Sequence, residues 1–310
     1  MWAFTAACAG SFDDEAASAE AVEATDLATI GADVAIDSGP IHGAASGDLV
    51  VFKGVPYAQA GRWQAPGAPA RWTQRRDATA FGPACPQAGH ADLPQAEACL
   101  TVNVWAHAGP AAHRPVIVFI HGGGYVEGSS RDPTYDGAGL ARGADAIVVT
   151  LNYRLGVLGY LALPQLAAGD GGIGNYGLRD QLAALAWVQR NIAAFGGDPA
   201  HVLVTGESAG GASVCTLVGS PRARGLFSAA AIQSGPCRMA LDPLRSTGTF
   251  PPAEGFAIVA VAAPLGCTSG DVAGCLRGKS VAQILALPLR PTPTPASRSA
   301  PPCRSSTAWC

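Results

Sequence analysis

The stretch HVLVTGESAGG (residues 201–211) contains the feature that decides the fold. Residues 201–205 are an apolar run typical of a buried strand, and ASVCTLVGS (212–220) is typical of a helix. Between them stands G-x-S-x-G, in which Gly206 and Gly210 flank Ser208. In a chain rich in glycine and alanine such a match is usually an ordinary turn. Between a strand and a helix, however, it predicts a sharp, strained turn that exposes a nucleophilic serine.

A second strand ends in a run of glycines. The stretch RPVIVFIHGGGY (114–125) is apolar up to residue 120 and then breaks into three glycines. Acyl transfer builds negative charge on a carbonyl oxygen, and preorganised backbone N–H groups stabilise that charge. Taken alone, HGGGY is explained equally well by a flexible loop. Because an oxyanion-binding loop and a serine turn are separate requirements of one reaction, their joint presence favours the catalytic interpretation.

The remaining pattern alternates strands with helices. AIVVTLNYR (146–154) and FSAAAIQSG (227–235) are further strand candidates, and LVVFKGVPYA (49–58) is rich in β-formers. In residues 177–195 apolar side chains recur at three- and four-residue spacing, which predicts an amphipathic helix. The alternation predicts an α/β protein with a doubly wound, mostly parallel sheet covered by helices on both faces.

Composition limits the function classes. Hydrophobic residues make up 48% of the 310 residues and charged residues 14%, which suits a compact domain with a large core. The net charge of −3 gives no reason to expect binding to nucleic acid or to an anionic membrane. No apolar run approaches the ~20 residues of a transmembrane helix. No metal or other cofactor is indicated, so a small molecule is the expected partner.

The cysteines and the N-terminus suggest export. Cys85 and Cys99 flank one short loop, and Cys267 and Cys275 flank another, so local disulfides and buried free thiols are the two alternatives. MWAFTAACAGS (1–11) is either a lipoprotein-like signal with Cys8 as the acylated residue or an Ala-rich leader. Residues 1–33 are interpreted as a leader and acidic spacer, and we expect an extracellular or cell-envelope location.

In the strand and turn stretches quoted above, and in others, the chain resembles the type-B carboxylesterase family, which includes cholinesterases and many microbial ester hydrolases. The stretches that carry the resemblance, in order, are FKGVPYA, ACPQ, EACLTVNVW, HGGGY, NYRLG, GNYGLRDQ, FGGDP, GESAGG, FSAAAIQSG and CLRGKS.

The resemblance implies an α/β-hydrolase fold over residues 34–287, with Ser208 as nucleophile. It also implies an oxyanion hole formed by the N–H groups of Gly123, Gly124 and Ala209. Two disulfides, Cys85–Cys99 and Cys267–Cys275, and a structural ion pair between Arg154 and Asp180 follow from the same resemblance.

The rest of a catalytic triad is expected to be missing. In this fold the order is serine, acid, histidine, yet all six histidines precede Ser208. The later carboxylates, Asp242, Glu254 and Asp271, are interpreted as solvated surface groups. Residues 288–310, rich in Pro, Ser and Arg, do not resemble the family. They are either a disordered tail or the product of a frame slip that removes the C-terminal part of the fold, and we expect the slip.

The sequence therefore predicts a serine carboxylic ester hydrolase that acts on a small-molecule ester and is impaired in this chain. Two alternatives remain. One is a non-catalytic, esterase-like binding or adhesion module, which would not need an intact Ser208 and HGGG. The other is an unstable truncated gene product with an uncovered sheet edge.

Overall fold

A computed structural model describes residues 29–167, 172–237 and 253–288. Residues 1–28 with Cys8, residue 242, the side chain of Glu254 and the tail from 289 lie outside the described residues. The strands are β1 Thr29–Ile30, β2 Asp33–Ile36, β3 Gly39–His42, β4 Ala44–Ser46, β5 Leu49–Pro56, β6 Arg76–Asp77, β7 Thr101–His107, β8 Gly109–Pro110, β9 Arg114–Ile120, β10 Ile147–Leu151, β11 Gly197–Glu207 and β12 Ala229–Gln233. The helices are α1 Ala138–Ala144, α2 Gly156–Tyr160, α3 Tyr176–Asn191, α4 Ala209–Gly219, α5 Ala253–Phe256, α6 Val272–Arg277 and α7 Val281–Leu285.

Seven strands form the central sheet in the order β12-β11-β9-β10-β7-β5-β4. The four strands from β12 to β10 pair in parallel, as the apolar runs predicted. The pairs β10–β7, β7–β5 and β5–β4 are antiparallel, so the sheet combines a parallel half with an antiparallel half. A tight turn joins the antiparallel strands β4 and β5, whereas parallel neighbours require helical crossovers.

The strand order places helices on both faces. From β9 the chain moves one way to β10 through α1, and then returns past β9 to β11 through α3. Since crossovers are right-handed, this reversal puts α1 and α3 on opposite faces. The packing agrees, because Ala141 of α1 joins Trp105 and Val148 in one cluster, whereas Leu185 and Val188 of α3 join Val149 in another.

A separate apolar cluster packs the C-terminal part of the described chain against earlier segments. Trp63, which is fully buried, packs there with residues of α2, α6 and α7. Its indole N–H donates to the carbonyl oxygen of Val157 (2.8 Å), so burial leaves no polar atom of this ring unsatisfied.

Three disulfides join described residues. Cys85–Cys99 and Cys267–Cys275 close the two short loops that the resemblance implied. A third bridge, Cys215–Cys237, ties α4 to the segment after β12; the sequence left the pairing of these two cysteines open. Local spacing could not predict it, because its two cysteines are 22 residues apart and meet only after β12 pairs with β11.

The strand β12 borders the sheet and is open to solvent along most of its length. Four of its five residues are exposed, and Ile232 retains 41% of its surface. The predicted strand 227–235 therefore exists but is not buried like β9 and β10. Within the described segments, no helix is long and apolar enough to cross a membrane.

We predict that the Cys215–Cys237 bridge stabilises the fold. Replacing both cysteines by alanine should lower the free energy of unfolding by about 3 kcal/mol, because the bridge closes a loop of roughly 20 residues in the unfolded chain. Thermal unfolding with and without reductant measures the effect. With all bridges reduced, the variant and the parent protein should unfold at the same temperature. A difference in unfolding temperature that persists under reduction would contradict the prediction.

Candidate active site

Ser208 occupies the turn between β11 and α4. Its backbone φ of 54° and ψ of −118° are unusual for a non-glycine residue, and its N–H donates to the carbonyl oxygen of Gln233 in β12 (2.9 Å). The side chain is half-buried, at the amino end of α4. The serine is thus held in a strained conformation by the strand pairing on one side and the helix on the other.

The glycines around Ser208 allow main chains to touch. A Cβ on Gly210 would lie 2.0 Å from the carbonyl oxygen of Ile120, and a Cβ on Gly206 would lie 2.6 Å from the carbonyl carbon of Gly210. Both distances are far below any van der Waals contact. Only glycine permits α4 to leave β11 this sharply against the end of β9.

The loop that follows β9 faces the serine turn. Gly206 and Ile120 are register partners in β11 and β9, so the two parallel strands end side by side. A Cβ on Gly122 would lie 3.2 Å from Cβ of Ser208, which shows how closely the loop approaches the serine. The loop turns back on itself through Gly123, whose carbonyl oxygen accepts from the N–H groups of Val126 (3.0 Å) and Glu127 (3.1 Å).

Three backbone N–H groups near this junction are left available. Among the described residues, no acceptor takes the N–H groups of Gly123, Gly124 or Ala209. Gly123 and Gly124 have positive φ angles of 100° and 59°, and Ala209 is the first residue of α4, where N–H groups have no intrahelical partner. These are the three predicted oxyanion donors, and each is able to donate a hydrogen bond to a ligand oxygen.

His121 lies at the start of this loop but is not accessible. Its ring is 2% exposed, stacks on Tyr153 at 4.4 Å between centroids, and uses Nδ1–H to bond the carbonyl oxygen of Gly122 (2.8 Å). Nε2 is buried and has no partner in the described part of the chain. Burial lowers the pKa of His121 to about 4, so the imidazole is neutral at physiological pH.

Four of the other five histidines are bonded to groups other than Ser208. His42 pairs with Asp33, His90 with Glu127 and His201 with Asp198, while His107 contacts the carbonyl oxygen of Ala141. Asp271 caps α6 through the N–H of Gly274, a structural task that fits its interpretation as a surface carboxylate. No described histidine or late carboxylate therefore forms a dyad with Ser208.

Two networks of buried polar side chains lie near the site, and the sequence predicted only the first. Arg154 and Asp180 form a buried bidentate ion pair with both N–O distances at 2.7 Å, as the resemblance implied. A second chain of contacts runs from the Gln181 amide to Ser213 Oγ (3.1 Å) and from there to the Tyr125 hydroxyl (3.4 Å). It links α3 and α4 to the glycine loop. Tyr125 and Gln181 end the stretches HGGGY and GNYGLRDQ, but the sequence did not predict that they are connected through Ser213.

Two grooves of the described surface lie away from the serine turn. One groove of about 260 Å³ is lined by residues between Pro56 and Thr101, and another of about 420 Å³ lies between Arg62 and Arg277. Neither includes Ser208 or the glycine loop. No cluster of three or more His, Cys, Asp or Glu side chains able to hold a metal is present in the three described segments.

A serine on a strained strand–helix turn, set against a glycine loop at the carboxyl ends of parallel strands, is the arrangement of an α/β-hydrolase fold. The sequence model of the Carboxylesterase family matches residues 31–300. The chain belongs to this family.

Known proteins show the same relationship. The chain is 46% identical over 213 residues to para-nitrobenzyl esterase of Bacillus subtilis (strain 168), covering 64% of this chain and 43% of that protein. It is 36% identical over 298 residues to Neuroligin-2 of Mus musculus, covering 79% and 34%. The solved structure of a thermophilic PNB esterase superposes with a TM-score of 0.73 at 38% identity, covering 82% and 52%. The chain thus spans about half the length of the relatives it matches, or less.

We predict that Gly210 tolerates no side chain. Gly210→Ala should lower the free energy of unfolding by about 3 kcal/mol or more, because the new Cβ collides with the Ile120 carbonyl oxygen. The matched control is Gly219→Ala at the other end of α4, where a Cβ meets nothing within 4 Å. Urea unfolding of the control should show unchanged or slightly raised stability. Equal stability of the two variants would refute the close-packing argument.

We also predict acid destabilisation through His121. The folded protein keeps this ring neutral down to a pH of about 4, whereas the unfolded chain binds a proton below about 6.5. Stability is therefore lost as the pH falls from about 6.5 to about 4, by on the order of 3 kcal/mol. Denaturant unfolding of the parent protein and His121→Asn across this window measures the loss. The variant should show a flatter dependence; a parallel curve would contradict the prediction.

Proposed function

We propose that this chain carries the nucleophilic half of a carboxylic ester hydrolase. Ser208 Oγ attacks the ester carbonyl carbon, and the N–H groups of Gly123, Gly124 and Ala209 bind the developing oxyanion. Collapse of the tetrahedral intermediate expels the alcohol and leaves an acyl-enzyme, which water hydrolyses to the acid. The observation that carries this proposal is the strained Ser208 turn, packed against a glycine loop whose N–H groups have no described protein acceptor.

The relatives support an ester as the substrate class. Para-nitrobenzyl esterase and Fumonisin B1 esterase of Sphingopyxis macrogoltabida, the latter 41% identical over 210 residues, are both named for ester substrates. We infer a small-molecule ester for this protein as well. The acyl group and the alcohol are left open, because the described grooves do not include Ser208.

We further propose that this 310-residue chain is a slow catalyst. All six of its histidines precede Ser208, and five of them, His42, His90, His107, His121 and His201, contact other groups. Without a base, the Ser208 proton passes to water, and the hydroxyl is a weak nucleophile. The oxyanion donors alone still contribute, since enzymes stripped of a triad retain rates about 10³–10⁴ above the uncatalysed reaction.

The three disulfides support an extracellular or cell-envelope location, because such bridges persist in oxidising compartments. The proposal is that the protein works outside the cytosol. The similarity to Neuroligin-2 supports a second proposal, that the protein is a non-catalytic binding module. The same experiments test both proposals.

We predict that ester hydrolysis by the purified chain depends on Ser208. Ser208→Ala should lower the rate of 4-nitrophenyl acetate hydrolysis, measured by nitrophenolate absorbance, to the residual rate that the oxyanion donors alone supply. Ser220→Ala, at the far end of α4, is the control and should keep the parent rate. Limited proteolysis of each protein shows that the variants are folded and tests the unstable-product alternative. Hydrolysis that is as fast in Ser208→Ala as in the parent protein would favour the binding-module proposal.

Added imidazole should accelerate the reaction of the parent chain by supplying the missing base. We expect a Ser208-dependent increase of about tenfold at saturating imidazole, a modest share of what a positioned base contributes. The same imidazole series on Ser208→Ala subtracts direct attack of imidazole on the ester. No difference between the two series would show that lack of a base is not what limits the chain.

A further inference from the structure

The disulfide loop formed by residues 85–99 is bonded to the glycine loop formed by residues 121–128. The side-chain amide of Gln87 pairs with both main-chain groups of Gly128. Its Nε2–H donates to the Gly128 carbonyl oxygen (2.9 Å), and its Oε1 accepts from the Gly128 N–H (2.9 Å). Near the surface, His90 Nε2 lies 3.0 Å from Glu127 Oε2 and adds a second, exposed contact between the loops.

Gln87 is itself held firmly inside the disulfide loop. Its residue is 3% exposed, and Nε2 also donates to the carbonyl oxygen of Cys85 (3.1 Å). Its backbone N–H donates to Oε1 of Gln95 (2.8 Å), whose own amide donates to the His90 carbonyl oxygen (2.6 Å). The Cys85–Cys99 bridge closes the loop just before β7. A buried amide with every group bonded in this way is a rigid support.

The position of Gly128 is transmitted to the serine turn by direct packing. A Cβ on Gly128 would lie 2.7 Å from the Gly122 carbonyl oxygen and 2.5 Å from His121 Nδ1. Gly122 in turn packs against Ser208 at the distance given above. Because Gly123 accepts from both Val126 and Glu127, the segment between is a tight turn with little freedom. Fixing Gly128 therefore fixes the turn that presents the Gly123 and Gly124 N–H groups.

We propose that Gln87 is a positioning residue that sets the oxyanion N–H groups relative to Ser208. Preorganisation of such donors requires that they not reorganise during the reaction, and the loop contains four glycines that would otherwise leave it mobile. The effect of Gln87 on catalysis rests on the proposed function. Its effect on the rigidity of residues 122–127 does not depend on catalysis.

The test compares Gln87→Ala with Gln189→Ala. The control removes an amide that also donates two bonds to main-chain carbonyls, those of Pro199 (2.8 Å) and Leu226 (3.1 Å). Pro199 lies at the amino end of β11, opposite Ser208, and Leu226 lies just before β12. In Gln87→Ala, amide hydrogen exchange of residues 122–127 should accelerate about tenfold while that of β11 stays unchanged. In Gln189→Ala the loop should exchange as in the parent protein.

Two further readouts separate positioning from general stability. Gln87→Glu keeps an acceptor for the Gly128 N–H but cannot donate to its carbonyl oxygen, so it should fall between the parent and Gln87→Ala. For 4-nitrophenyl acetate, kcat should fall with KM unchanged, because oxyanion bonds form in the transition state.

Unchanged loop exchange in Gln87→Ala, or equal acceleration in both alanine variants, would overturn the proposal. If Ser208→Ala hydrolyses the ester as fast as the parent, the proposed function fails instead. The exchange data would then still decide whether Gln87 holds the loop.

Discussion

The structure depends on a contact between main chains where β9, β11 and α4 meet. Gly210 in the first turn of α4 lies directly against the Ile120 carbonyl oxygen at the end of β9, closer than any side chain would allow. The contact forces α4 to leave β11 at once, so the residue between them takes a left-handed conformation. That residue is Ser208. The strain is thus a consequence of helix–strand packing that the sheet and the helix both stabilise.

The same contact explains why the site is located at the carboxyl ends of β9 and β11. The chain passes from β9 to β10 on one side and returns to β11 on the other, so the ends of β9 and β11 lie together where the winding reverses. Loops after adjacent parallel strands meet at such a point. The glycine loop and the serine turn are therefore brought together by topology, and the glycines allow them to approach within van der Waals distance.

Much of this could be predicted from sequence because it is encoded locally. The strand, turn and helix around Ser208, and the apolar strands of the parallel half, follow from residue patterns in short windows. The antiparallel half, the exposure of β12 and the Cys215–Cys237 bridge could not be predicted in this way, since each depends on strand pairing between distant segments. The role of Gln87 could not be predicted for the same reason. A glutamine in a loop is ordinary until its partner, Gly128, is placed beside it.

The measurement that tests the central claim most directly is the chemical identity of the group that accepts an acyl chain. The protein is treated briefly with 4-nitrophenyl acetate, quenched with acid, digested and mapped by mass spectrometry. The account predicts one dominant acetyl adduct, on Ser208, that is absent from Ser208→Ala. Acetylation spread over surface lysines and other serines, with Ser208 unmodified, would contradict the account.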